Sequence, residues 1–182
     1  MTSLKKGQKP KLKPNQLNIH GKKFEKLTNS VFHPLRLQLP IKWERIVDSA
    51  AAGNFIEARA SDFELSVKSG QAGQPYRFLI ECKASDQEAT FAKCFKSLIK
   101  KKQLPKMRLA VRAGAIGLYF FHSVKTGEIE IWDFSQVKKA YYAKRTKFED
   151  VPRYVVTVAN FPIFARRVCQ DPARFVRDIL GG

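Results

Sequence analysis

At 182 residues and 44% apolar content the chain is long enough for one domain with its own core, and it holds no run of about 18 apolar residues for a membrane helix. Lys and Arg number 34 against 16 Asp and Glu, a net charge of +18 that points to a polyanionic partner, with nucleic acid ahead of an anionic membrane surface. Cys82, Cys94 and Cys169 form no CxxC pair, and with His20, His33 and His122 they frame neither a disulfide scaffold nor a zinc site, so all six read as structural.

In chain order, residues 1–17 carry five lysines, two prolines and no acid, which predicts a flexible basic arm ahead of a single domain over 18–182. "HGKKFEKLTNSVF" places Phe24, Leu27, Val31 and Phe32 at helical spacing and Glu25 beside them, with Pro34 to stop the helix. Around "SDFELSV", Phe63, Leu65 and Val67 share one strand face, Asp62 and Glu64 the other. "KSGQAGQP" reads as a hairpin loop into the strand "RFLIECKASD". There Glu81 and Lys83 point one way while Cys82 points back with Ile80 and Phe78. "EATFAKCFKSLIKKK" is a basic helical segment, and "LPKMRLAVRAG" a second helix that buries Leu104, Met107 and Val111 and ends at Gly114. "AIGLYFFHSV" and "EIEIWDF" form a hairpin through "KTG", "YVVTV" is a further strand, and "DPARFVRDIL" a closing helix capped by Asp171. This order predicts a mixed sheet flanked by helices, an α/β or α+β sandwich.

Asp62 and Glu81 on neighbouring strands suit a hard divalent cation such as Mg²⁺, which accepts one or two carboxylates and completes its octahedron with waters and substrate phosphate oxygens. Lys83 adds a compact positive charge for a water or a phosphate. Such a set predicts phosphodiester chemistry. Glu64 is an alternative to Asp62 as ligand and Glu44 to Glu25, and Asp86 reads as a helix N-cap or a solvated side chain.

"SDF" followed by "ECK" nineteen residues later at the end of an apolar strand resembles the PD-(D/E)XK nuclease superfamily, with Ser61 where the superfamily's name has Pro. "GKKFEKLTN" and "KKKQLPKMRLAVRAGAIGLYFF" are similar to the opening helix and the Gln-led helix and strand of RecU-type Holliday junction resolvases. The resemblance, over residues 18–135, implies a restriction-endonuclease-like fold, Asp62, Glu81 and Glu25 as metal ligands, and Lys83, Gln103 and Glu25 in catalysis. It implies Mg²⁺, with Mn²⁺ able to substitute, and a homodimer that cuts four-way DNA junctions symmetrically. Lys22, Lys23, Lys93, Lys96, Lys100, Lys101, Lys102 and Lys106 are the expected DNA-tracking cations, and Tyr141 and Tyr142 stand open between core and base-stacking roles.

Two other classes remain: another nuclease of the same superfamily acting on linear duplex, flaps or single strands, and a DNA-binding protein on this scaffold that does not cut. A role at a membrane is disfavoured because the basic helix lacks a wide apolar face. The expected compartment is the cytoplasm of a bacterial or phage-infected cell.

Overall fold

The computed structural model describes residues 14–46, 60–68, 73–86, 91–99, 103–143 and 151–181. Six strands form one mixed sheet in sequential order: β1 (Ile41–Arg45), β2 (Phe63–Val67), β3 (Tyr76–Ser85), β4 (Ile116–Ser123), β5 (Glu128–Asp133) and β6 (Tyr154–Thr157). Neighbours run antiparallel except β3 and β4, which are parallel because two helices, α2 (Phe91–Leu98) and α3 (Gln103–Arg112), carry the chain back between them. α1 (Pro14–Phe32) leads into the sheet, α4 (Phe134–Tyr142) follows β5, and α5 (Phe161–Gln170) and α6 (Pro172–Leu180) close the chain. Among the described residues no helix is long and apolar enough to cross a membrane.

Period-two alternation sends each strand's apolar residues into one of two cores. Phe63, Leu65, Phe78, Ile80, Cys82, Phe120, Ile129 and Ile131 face α1, α5 and α6. Leu79, Tyr119, Phe121 and Trp132 face the other way, onto Phe91, Leu104, Met107 and Val137 of α2, α3 and α4. Both faces of β3 are thus covered, which explains why it reads as a continuous apolar run until Glu81.

Several expectations need correction. α1 begins at Pro14, four residues before the expected boundary of the arm, and residues 1–13 lie outside the described ones. It ends at Phe32, but the chain continues in a 3-10 turn, His33–Leu37, because Pro34 fits a first-turn position and lacks only an N–H that has no partner there. β1 was hidden by its exposed pattern: Trp43 alone of its five side chains is buried, stacked between Phe32 and Phe63 at 4.6 and 4.7 Å. α4 and α5 were not anticipated either. Asp133 starts α4 with a full capping box to Gln136, a signal outweighed by the strand alternation of "EIEIWDF". α6 is capped as expected, Asp171 accepting the Arg174 N–H at 3.0 Å.

Candidate active site

Continuing the β2–β3 register, in which Phe63 faces Ile80, puts Asp62 opposite Glu81 on the same side of the sheet. Asp62 is clamped by its backbone: its N–H donates to Ile80 C=O at 3.0 Å and its C=O accepts from Ile46 N–H at 2.8 Å. Its Oδ2 accepts the Cys82 N–H at 2.7 Å, so the side chain lies against β3 beside the Glu81-Cys82-Lys83 triplet.

Glu81 is 2% exposed, and its Oε1 accepts from Lys83 Nζ at 2.5 Å and from Gln103 Nε2 at 2.6 Å. The Gln103 Oε1 accepts from Lys83 Nζ in turn, at 3.4 Å, closing a three-membered ring. Gln103 is the first described residue of α3, and it reaches this position because α3 seats Leu104 and Met107 in the core above β4. The seating depends on Gly117: a Cβ there would come within 2.9 Å of Phe134 Cβ and 3.0 Å of Met107 Sδ. The glycine in "AIGLYFF" is therefore a close-approach residue under the helix that carries Gln103.

Glu25 arrives from the opposite face on α1. That helix runs antiparallel along β3, with Cys82 Sγ 3.6 Å from Thr28 Oγ1 and the Phe24 ring 5.1 Å from His122. Glu25 lies near enough to Asp62 to repel it, but its Oε2 accepts from Arg45 Nη2 at 2.7 Å. The structure thus brings Asp62, Glu81, Lys83 and Gln103 together and sets Glu25 at the margin, held by an arginine that sequence reasoning did not pick out. Among the described residues no three His, Cys, Asp or Glu side chains are grouped closely enough to enclose a metal ion.

The electrostatics follow from burial. Burial first, then repulsion from Glu81, pushes the Asp62 carboxyl from its ordinary 3.8 up to about 7, against the pull of Lys83 and of the Cys82 N–H. Burial alone would pull the Lys83 ammonium down, but Glu81 and Asp62 outweigh it and leave its pKa raised. Lys83 therefore stays charged at neutral pH and cannot serve as a base. Burial holds the Cys82 thiol and the Tyr119 phenol protonated, the latter also feeling Glu81. Tyr119 is opposite Glu81 on β4, and its buried hydroxyl has no hydrogen-bond partner among the described residues. Nothing in the sequence marked it, because the register of two parallel strands joined by helices is not legible from their residues.

The alternatives separate cleanly. Glu64 holds Arg77 through two bonds, 2.7 and 3.0 Å, which lower its pKa, and Glu44 pairs with Lys42 on the exposed edge strand. Neither is at the site. Asp86 stands 3.9 Å from His20, and residues 87–90, on which its reading as a helix N-cap turns, lie outside the described ones. Buried Glu130 meets the first described turn of α2, accepting the Phe91 N–H at 3.1 Å and the Trp132 Nε1–H at 2.8 Å.

Of the expected DNA-tracking cations, Lys22 and Lys23 are exposed on α1 and Lys106 is half-buried on α3. The side chains of Lys93 and Lys96, and Lys100, Lys101 and Lys102 altogether, lie outside the described residues. Tyr141 and Tyr142 meet edge to face at 5.6 Å, with Tyr142 exposed at the end of α4.

The carboxylates fit a hard cation by their chemistry. Asp62 Oδ1 and Glu81 Oε2 accept no hydrogen bond among the described residues, and a half-buried and a buried carboxylate set against each other suit a divalent cation. No family model and no curated protein sequence matches this chain.

Proposed function

We propose that this chain is a Mg²⁺-dependent endonuclease of branched DNA, a Holliday junction resolvase that works as a homodimer, each copy nicking one of two symmetric strands. The observation that carries the proposal is the convergence of Asp62, Glu81 and Lys83 at the splayed end of β2 and β3, with Gln103 bridging the last two. The resemblance to RecU-type enzymes supports it, and the net charge of +18 supports a polyanionic substrate.

Asp62 and Glu81 would hold the cation, Mg²⁺ or Mn²⁺, through the oxygens that carry no other bond. When bound, such an ion supplies a water of lowered pKa and offsets charge on the phosphate. Lys83, fixed as an ammonium by Glu81, places a positive charge where the phosphate gains negative charge. Gln103 accepts from Lys83 and donates to Glu81, so it sets the direction of both; it is a positioning residue. Glu25, paired with Arg45, adds negative charge beside Asp62 and would join the ligands on release from the arginine. Exposed Lys22 and Lys23 and half-buried Lys106 would contact flanking phosphates.

The test is cleavage of synthetic four-way, flap, linear and single-stranded DNA with and without Mg²⁺, by the native chain and by Asp62→Asn and Glu81→Gln. Symmetric nicking of the four-way junction that needs the metal and both carboxylates is the expected result. Preferential cutting of linear or flap DNA would assign another nuclease activity to the same site. Salt-sensitive binding without cutting of any substrate would overturn the catalytic reading.

A further inference from the structure

The sheet is open, and its last strand, β6, has a partner on one side only among the described residues. Val158 N–H donates to Gly127 C=O at 2.9 Å, and Val156 faces Ile129. By the alternation of an antiparallel ladder, the N–H and C=O groups of Val155 and Thr157 then point away from β5. Natural edge strands are commonly blunted by Lys, Pro or a bulge, but Tyr154–Thr157 has neither Lys nor Pro, and Val155 is 53% exposed.

Beside this edge, β6, α5 and α6 wall a groove of about 860 Å³. Phe164 and Phe175 give it an apolar lining, and Ile163, 55% exposed, stands on its wall. Arg167 and Arg174 line it as well. The acids nearby are already engaged: Asp171 caps α6 through the Arg174 N–H at 3.0 Å, and Asp178 accepts the Tyr154 hydroxyl at 2.8 Å. Neither guanidinium has an ion-paired carboxylate among the described residues.

We infer that the β6 edge and this groove dock an extended acidic peptide segment of another protein, added as a further strand. Its main chain would pair with Val155 and Thr157, alternate apolar side chains would enter the groove, and its carboxylates would meet Arg167 and Arg174. Charge decides the occupant. A second copy added edge to edge would set the same two arginines against each other, whereas an acidic strand is drawn in. Duplex DNA has phosphates for the arginines but nothing that uses an apolar lining or a free strand edge. The site is three strands from β3, so the inference stands independently of the nuclease reading.

The test is fluorescence anisotropy with a labelled hexapeptide that alternates Asp and Val, against a Lys and Val counterpart and an N-methylated version unable to pair along one edge. The acidic peptide is expected to bind with a Kd of roughly 10–100 μM, and the two controls at least ten-fold more weakly. Arg167→Gln combined with Arg174→Gln should weaken binding at least ten-fold, as should Val155→Pro, which removes only an outward-facing N–H. Circular dichroism melting verifies that each variant folds, and the arginine pair, on exposed helix positions, keeps the inference falsifiable if the proline variant unfolds. Failure of the acidic peptide to bind, or equal binding of its controls, would overturn it. So would a dimer-to-monomer change in sedimentation on Val155→Pro, which gives the edge to a second copy. Equal weakening of peptide and duplex DNA binding in the arginine variant would give the groove to DNA.

Discussion

Asp62→Asn separates what the site costs the fold from what it does. Asparagine keeps the size of the side chain and an oxygen for the Cys82 N–H, which the aspartate accepts at 2.7 Å, but carries no charge. The folded protein holds the Asp62 proton up to about pH 7, whereas an unfolded chain releases it near 3.8. The folded state therefore binds more protons between those values, and stability falls as pH rises through that window. At about 1.4 kcal/mol per pH unit the full cost is on the order of 4 kcal/mol at pH 8, and it vanishes near pH 4. In a buffer with chelator the variant should thus be more stable than the native chain at pH 8. By the usual scaling for this size its melting temperature should rise by roughly 8–16 °C, and the gap should shrink steadily toward pH 4. Thermal unfolding followed by circular dichroism from pH 4 to 8 reads this directly. Adding Mg²⁺ at pH 8 should stabilise the native chain and narrow the gap, because binding favours the ionised carboxylate. A gap that does not change with pH, or a variant less stable than native at pH 8, would refute the argument that buried like charges dominate this carboxyl.

Lys83→Ala should lower the single-turnover cleavage rate by at least 100-fold with little change in junction affinity, since the ammonium is committed to Glu81 and not to a phosphate at the surface; gel-shift and quench-flow measurements separate the two. Gly117→Ala should destabilise the fold by about 1–3 kcal/mol, because the added methyl meets Phe134 Cβ at 2.9 Å and Met107 Sδ at 3.0 Å, and urea unfolding measures the loss. Glu130→Ala removes the buried carboxylate that accepts the Phe91 and Trp132 N–H groups and should cost about 1–3 kcal/mol, seen as a lower urea midpoint with an altered Trp fluorescence. Removing residues 1–13, which carry five lysines, should flatten the dependence of DNA binding on log salt, by about one in slope for each phosphate that the arm neutralises.

The sequence by itself determined which residues of β2 and β3 share a face. Alternation put Phe63, Leu65, Val67, Phe78, Ile80 and Cys82 into one core, which left Asp62, Glu81 and Lys83 to share the other side. That rule is local, because a strand's two faces are fixed by adjacent residues, and so it survives without knowledge of the rest of the chain. The Asp171 cap and the turn at Gly127, with φ +68°, were legible for the same reason.

Only the tertiary structure decided what each charged group faces. Glu64 and Asp62 share a strand face, yet Arg77 on the neighbouring strand takes Glu64, while Asp62 finds a backbone N–H and a second carboxylate. Gln103 and Tyr119 meet Glu81 because α2 and α3 return the chain parallel to β3, and Glu25 meets Arg45 because α1 crosses beneath the sheet. Those encounters join residues about 20 or more positions apart, through connections whose length and direction leave no periodic trace. Edge strand β1 escaped sequence reading for a related reason: one buried side chain, Trp43, is too little apolar pattern to reveal a strand until Phe32 and Phe63 close around it.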